Sequence, residues 1–598
     1  MSPVRQPRSV GQRPLDLGII RRVFSYTKRH KRLRNYLFVL VLLRAAQLPT
    51  VTWAVGNVLS GPVARLDIHG TILGVAGFLA MVMFTETCFV FRMRFALRLG
   101  EAVVHDLRRE VYAHLLSMPI SFFKKMQVGR LIGRMTSDVD AVRTGVQDVA
   151  FVSTVQCGTM MVSAGLMIYY DWQLFLVVVV MAPILFGIIR HFRKKLSQAY
   201  RAEQESFSRV TATLAESVTG IKEIQGFVRQ DINGGLFRQL IHDHSKYNMD
   251  SAKQSAVFLP MLEFNSQLFL SLLLVVGGYQ TLAGHVELKS LIVFMFLSNQ
   301  FFAGIPIIGN QYNQALTAMA GAERVFALLD TKPEWQDLAE ARDIPAIVGR
   351  VEFQDLTFEY EPGRPVLHGI TFAAEPGQTI ALVGHTGSGK TSIVNLVAKL
   401  YLPSSGKLLI DGHDMLNVTS ASLHRQIASV SQENFLFSGT VIENIRLGCP
   451  TASDDEVREA ARALDVLDMI EDLSLGFQTA VGEKGSGLSL GQRQIVCFAR
   501  AMLANPRILI LDEATSSVDS VTESRLQQAL ARLLRGRTSF VVAHRLSTIR
   551  HANQVLVLDH GRIIERGTHT ELLRKGGEYA DMYRQFVSSA DGDLLAAN

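Results

Sequence analysis

Eight consecutive residues have the types and spacing to hold a chain of phosphates. Gly384-His-Thr-Gly-Ser-Gly-Lys390-Thr391 follows the pattern G-x-x-x-x-G-K-[ST]. Glycines let backbone N–H groups close round phosphate oxygens, and a helix starting there adds the positive end of its dipole. In this arrangement Gly384, His385, Thr386, Gly387, Ser388 and Gly389 form the cradle, with Ser392 just behind it. Lys390 reaches the β- and γ-phosphates, and the Thr391 hydroxyl ligates Mg²⁺. A second cluster, Arg507-Ile-Leu-Ile-Leu-Asp512-Glu513, ends an aliphatic run in two carboxylates. Asp512 would bind the magnesium, and Glu513, one residue further, would polarise a water for in-line attack on a phosphate.

Such residues work only if regular elements deliver them. The run before Asp512 reads as a strand buried on both faces of a parallel sheet. Thr379–Val383 is a strand of the same kind, and Ser392–Lys399 reads as the helix behind the phosphate loop. Val351–Tyr360 alternates apolar and polar residues as a half-buried strand does. Residues 351–590 therefore form one α/β nucleotide-binding domain, preceded by a linker over 331–350.

The first half has a different composition. Six apolar runs of bilayer-spanning length fall near Tyr36–Ser60, His69–Phe91, Gln147–Tyr169, Trp172–Arg190, Val257–Gln280 and Ser290–Asn313. Residues 35–330 are thus expected to be an α-helical membrane domain. The long connections Arg92–Val146 and His191–Ala256 are rich in Arg and Lys, which places them, and both termini, in the cytoplasm. They keep helical periodicity, so the second to fifth spans should continue as helices beyond the bilayer. The segments Thr136–Thr144 and Glu216–Val228 are the expected contact turns. Residues 1–34 carry no cleavable signal, and Leu15–Lys28 reads as an amphipathic helix on the inner membrane face. The formal net charge of +7 is explained by the basic membrane flanks, without nucleic acid. The four cysteines (Cys88, Cys157, Cys449, Cys497) form no disulfide framework.

Polar residues in the spans are candidates for a cavity. Glu86 and Thr85 lie in the second, Glu263 and Gln267 in the fifth, and Asn299, Gln300, Asn310, Gln311 and Gln314 in or just past the sixth. Ionisable groups in a membrane are costly and tend to face a cavity or a partner. Glu86 and Glu263 lean toward cationic amphiphiles.

Leu488-Ser-Leu-Gly-Gln492, between the two nucleotide motifs, resembles the LSGGQ signature of ATP-binding cassette (ABC) proteins. Other marks fall in the family's order: Tyr360 where an aromatic stacks on adenine, Gln432 in a Q-loop, Glu483 in an exporter X-loop, Ser516-Ser-Val-Asp519 as a D-loop, and His544 as the switch histidine. Leu115–Phe123, Gly129–Asp138 and Glu216–Ile224 are similar to intracellular segments of exporters. The resemblance runs from about residue 15 to 585. It implies six spans fused to one nucleotide-binding domain, working as a multi-pass protein of a bacterial cell membrane.

By that resemblance, two chains pair head to tail. Lys390 and its loop on one chain and Ser489, Gly491, Gln492 and Asp519 on the other would share each ATP. Glu513 would be the base, His544 would hold the γ-phosphate, and Thr391, Gln432 and Asp512 would ligate Mg²⁺. The implied activity is ATP hydrolysis coupled to export of a small amphipathic drug or lipid by alternating access. Leu490 stands where the family has glycine, and leucine fits there only at negative φ. The intact catalytic set favours a homodimer over a heterodimer. An importer would have separate subunits and short couplings, a regulated channel a degenerate site and a regulatory insert, and a soluble mechanical ATPase no spans; this sequence fits none of the three.

Overall fold

The structure is a computed structural model that describes residues 16–512, 520–543 and 546–585, without the side chains of Arg193, Leu259, Ser520, Leu546 and Ser547. The chain divides into two compact units. One comprises the chain through Leu116 together with Gly129–Thr331, and the other comprises Ser117–Val128 with the chain from Lys332 onward.

The first unit is helical. A short α1 (Leu17–Thr27) precedes α2 (Lys31–Val58), α3 (Ile68–Leu116), α5 (Val128–Tyr170), α6 (Trp172–Thr219), the single turn and a half of α7 (Ile221–Gly226), α8 (Gln230–Leu282) and α9 (Leu288–Leu329). Among the described residues, six helical stretches are long and apolar enough to cross a bilayer. Their most apolar windows are only 11–33% buried, so the apolar surface faces outward and needs lipid to cover it. Lengths of 42 to 53 residues for all but the first exceed the roughly 20 that a bilayer requires, as the helical periodicity predicts. Prolines at 49, 183, 260 and 306 lie inside these helices.

Close helix contacts use small residues. Side chains added at Gly158, Gly304 and Gly145 would strike Ala45, Met160 and Ala318, so α2, α5 and α9 approach backbone to backbone. Two arginine forks brace α9: Arg324 on Asp138 (2.6 and 2.9 Å) and Arg22 of α1 on Asp330 (2.6 and 2.8 Å). The helix expected over Leu15–Lys28 is α1, with Asp16 capping it through Gly18 N–H (2.7 Å); Leu15 lies outside the described residues.

One expected turn is misplaced. The first long connection reverses at Ser117–Gln127, where Pro119 precedes α4 (Ile120–Lys125), and not at Thr136–Thr144. Thr136–Thr144 is helix, running through a π-turn at Arg134–Asp138, and its Val139 and Val142 are buried. Its hydrophobic face turns onto α9, which Asp138 grips through Arg324. The second connection does reverse within Glu216–Val228, at Gly220.

Among the described residues, the second unit holds three sheets. β2 (Arg364–Ala374), β1 (Val351–Glu361), β4 (Ser405–Ile410) and β5 (His413–Asp414) form an antiparallel sheet in that order. The central sheet runs β12 (Arg562–Gly567), β11 (Gln554–Asp559), β3 (Thr379–Gly384), β10 (Thr538–Val542), β9 (Ile508–Asp512), β6 (Ile427–Val430). All of its neighbours are parallel except β11 and β12. β7 (Gly439–Thr440) pairs with β8 (Ala480–Val481). Apolar side chains on both faces of β3, β9 and β10 are fully buried, which is why these strands read as continuous aliphatic runs. Residues ahead of β1 are tied into this unit: Asp411 accepts from Val348 and Arg350 N–H (2.6 and 2.7 Å), and Asp337 from the buried Lys399 (2.8 Å).

Candidate functional site

The phosphate loop joins β3 to α10 (Lys390–Val397), a helix that begins two residues earlier than the sequence suggests. Gly384 has φ +154° and Gly389 +105°, and side chains there would meet the Leu558 carbonyl and the Leu367 side chain. Only glycine fits both the backbone and the space. Lys390 is 7% exposed and donates to the Gly384 and His385 carbonyls (2.8 and 2.9 Å), which folds its ammonium back over the loop. Burial pushes that ammonium below the usual lysine range, and the charge of Asp512 opposes the shift. The buried Ser388 hydroxyl has no hydrogen-bond partner among the described residues, a vacancy that a phosphate oxygen can fill. His385, Thr386, Gly387 and Thr391 are exposed. His385 faces Glu578 at 3.7 Å.

Neighbouring strands deliver their residues to the same edge of the sheet. Asp512 ends β9 beside Val542 of β10, half-buried. Gln432 lies exposed in the turn after β6, whose Val430 pairs with Leu511. Ligands of parallel α/β sheets bind at the carboxyl ends of the strands. The donor set of a hydroxyl (Thr391), an amide (Gln432) and one carboxylate (Asp512) is all oxygen, which suits Mg²⁺ with substrate phosphates and water completing its shell. Glu513, Asp519 and His544 lie outside the described residues.

Tyr360, near the end of β1, shares a hydrogen bond with Ser392 of α10 (3.0 Å). Its ring stands perpendicular to Tyr401 at 5.0 Å and nearly so to Phe358 at 4.7 Å. Sequence reasoning missed two neighbours. Tyr401 shares this aromatic cluster, and the Lys124 ammonium of α4 lies 5.4 Å from both tyrosine ring centres. A cation over two aromatic faces is attracted by both. Lys125 beside it pairs with Glu334. The signal was the basic pair that directly follows Phe122-Phe123.

The signature segment forms a helix start. Ser489 caps α11 (Leu490–Leu503): its hydroxyl accepts from Gln492 N–H (3.2 Å), and the Gln492 side chain accepts from Ser489 N–H (2.9 Å). This reciprocal pair satisfies two otherwise free donors. Leu490 opens the helix and is absent from the non-glycine residues with positive φ, so the backbone accepts leucine there. Gly491 is buried behind it. Among the described residues, no hydrogen bond joins Ser489 or Gly491 to the phosphate loop. Glu483 sits exposed on a short turn (Glu483–Gly485) upstream.

In the helical unit, Glu86 is paired with Arg44 of α2 (3.5 Å), and Glu263 is exposed. Of the α9 amides, Gln311 is buried while Asn299 and Asn310 are exposed.

Comparison with known proteins covers both units. Residues 35–305 match the family model described as ABC transporter transmembrane region, and residues 367–516 match that described as ABC transporter. An uncharacterized ABC transporter ATP-binding protein of Bacillus subtilis, YfiC, is 34% identical over 95% of this chain and 94% of its own length. An ATP-dependent lipid A-core flippase of Syntrophus aciditrophicus is 34% identical over 84% of this chain and 83% of its own. A fatty acid ABC transporter ATP-binding/permease protein of Mycobacterium tuberculosis is 37% identical over 80% of this chain and 75% of its own.

Proposed function

The chain belongs to the ABC transporter family as a multi-pass cell-membrane protein of exporter type, and from that premise we propose that it hydrolyses ATP as a homodimer to export an amphipathic lipid or drug. The observation that carries the reading is the buried Lys390, folded over its own phosphate loop with Asp512 close enough to act on its charge. A phosphate chain entering the cradle offers the ammonium anionic acceptors in place of two carbonyls, and offers Ser388 a partner.

Each chain contributes half of two shared sites in this mechanism. Tyr360 takes the adenine ring, Gly384–Gly389 wrap the phosphates, and Ser489 and Gly491 of the second chain close on the γ-phosphate. Thr391, Gln432 and Asp512 are the donors for Mg²⁺, which when bound neutralises charge on the β- and γ-phosphate oxygens. Glu513 orients and deprotonates the attacking water, and His544 steadies the γ-phosphate. A ligand gripped by two chains favours the closed pair only by binding it better than the open one. Closure is passed to the helical domain, and hydrolysis reopens the pair. Lipid is the better-supported cargo: two relatives are named for lipid A-core and fatty acid, and the Arg44 ion pair takes Glu86 away from cationic substrates.

Glu513→Gln tests this reading. Purified protein should still bind ATP and form a stable closed dimer while phosphate release falls by at least about a hundredfold, the scale of losing a positioned base. Near-normal turnover would refute the assignment.

A further inference from the structure

Arg92 of α3 is 7% exposed, and its Nε is buried without a hydrogen-bond partner among the described residues. Its contacts are the Met93 sulfur (3.5 Å) and the face of Phe89 (5.1 Å). Arg44 of α2 stands 4.7 Å from the same ring. Two guanidinium groups thus flank one phenylalanine. Opposite charge nearby comes from Glu86, engaged by Arg44 at 3.5 Å, and from Asp148, which stands beyond ion-pair distance of Arg92. Arg143, the other cation near Asp148, is paired with Glu101 at 2.8 Å.

A buried cation without a bonded anion is costly and persists where something supplies the anion. The location limits what that is. Arg92 lies where the apolar run His69–Phe91 gives way to the basic Arg92, Arg94 and Arg98. Such a boundary is the depth of a lipid headgroup, and by the positive-inside rule it faces the inner leaflet. The planar guanidinium fork matches phosphate and carboxylate oxygens. Phe89 gives the adjoining acyl chain an apolar neighbour.

We propose that Arg92, supported by Arg44, binds the anionic headgroup, phosphate or carboxylate, of an amphiphile in the inner leaflet. The proposal rests on the exporter reading above and narrows its substrate class from amphipathic to anionic. The same chemistry is offered by a transported lipid and by a resident bilayer lipid.

The test uses the full-length protein and three fluorescent probes: labelled phosphatidylglycerol, labelled oleate and labelled diacylglycerol, which has neither phosphate nor carboxylate. In detergent, Arg92→Gln should weaken the two anionic probes roughly ten- to hundredfold, the range for a hydrogen bond to a charged group. The diacylglycerol probe should stay within about twofold on the same scale. Arg92→Lys, which keeps the charge and loses the fork, should fall between wild type and Arg92→Gln. Should Arg92→Gln fail to give a monodisperse dimer, Arg92→Lys and Arg44→Gln carry the comparison. Unchanged binding of both anionic probes, equal weakening of all three, or loss of the dimer with binding intact would each overturn the proposal. The last would make the partner chain the anion. In proteoliposomes, ATP-driven movement of labelled phosphatidylglycerol that is lost in Arg92→Gln identifies cargo. Loss of binding with unchanged ATP-driven transport of another amphiphile identifies a resident lipid. Anion-selective binding in a wild-type protein that moves no probe with ATP would sink the exporter reading and leave the site standing.

Discussion

Lys390 and Arg92 are equally buried cations, each 7% exposed, in two different units. Lys390 is satisfied by carbonyls five and six residues back in its own loop. Arg92 has a sulfur and an aromatic face. The contrast teaches where a binding site's stability comes from. In the sheet unit a contiguous motif carries its own compensation, with the lysine bonded to its own loop. In the helical unit compensation is assembled from remote helices and is left incomplete until something else arrives.

The largest effect that can break this comparison is on catalysis. Lys390→Met should lower ATP turnover by about a hundredfold or more, the scale of losing a preorganised charge at the reacting phosphate, measured as phosphate release. Its melting temperature should hold. A large loss of folding stability would show that Lys390 is structural. Gly384→Ala comes next. Its new Cβ meets the Leu558 carbonyl at a φ leucine and alanine avoid, so the nucleotide-binding unit should lose about 1–3 kcal/mol by denaturant titration. An unchanged midpoint would mean the loop relaxes freely.

Arg92→Met sharpens the other side. Replacing an uncompensated buried cation by an apolar chain of similar length should leave thermal stability unchanged or raise it, by about 1 kcal/mol or more. Marked destabilisation would mean that Arg92 is already well paired within the fold. The smallest effects concern departures and additions at the site. Leu490→Gly restores the usual signature residue and gives up about 1 kcal/mol of helix propensity, so α11 should weaken slightly while ATP turnover shifts little. A large gain in turnover would show that leucine impairs the shared site. Lys124→Met should change the KM for ATP by a few-fold at most, as expected for an exposed cation–π contact. If the same change occurs in a Tyr360→Leu background, the ring is not what Lys124 acts through.

How much could be read beforehand follows from the same contrast. Gly384–Thr391 and Ile508–Asp512 are local in sequence, so strand, loop and helix could be placed within two residues, whereas the Ser489–Gln492 cap was not read from its residues. The six spans were legible because a bilayer imposes length and polarity on any sequence that crosses it. The Arg44–Glu86 pair was not, because helix register across 42 residues depends on the packing of α2 on α3. Pro119 did signal the first turn, but the helical periodicity on either side of it masked the break. The π-turns at Arg134–Asp138 and Gly145–Val149 shift the face of α5 presented to α9, and no residue type announces them. Tyr401 joined the aromatic cluster by tertiary placement alone.

The prolines inside the paired helices α6 and α8 have a mechanical consequence. Pro183 lies 36 residues before the end of α6 at Thr219, and Pro260 lies 30 residues after the start of α8 at Gln230. At 1.5 Å per residue these are arms of about 54 and 45 Å. Proline removes one backbone hydrogen bond from each helix and softens it there. The two soft points are offset along the antiparallel pair, since Phe192 packs against Phe258 and places Pro260 opposite the stretch after Pro183, so the pair flexes over a segment and not about one pivot. A bend of about ten degrees at Pro260 carries the start of α8 through about 8 Å, with the helix moving as a rigid rod of 1.5 Å rise per residue.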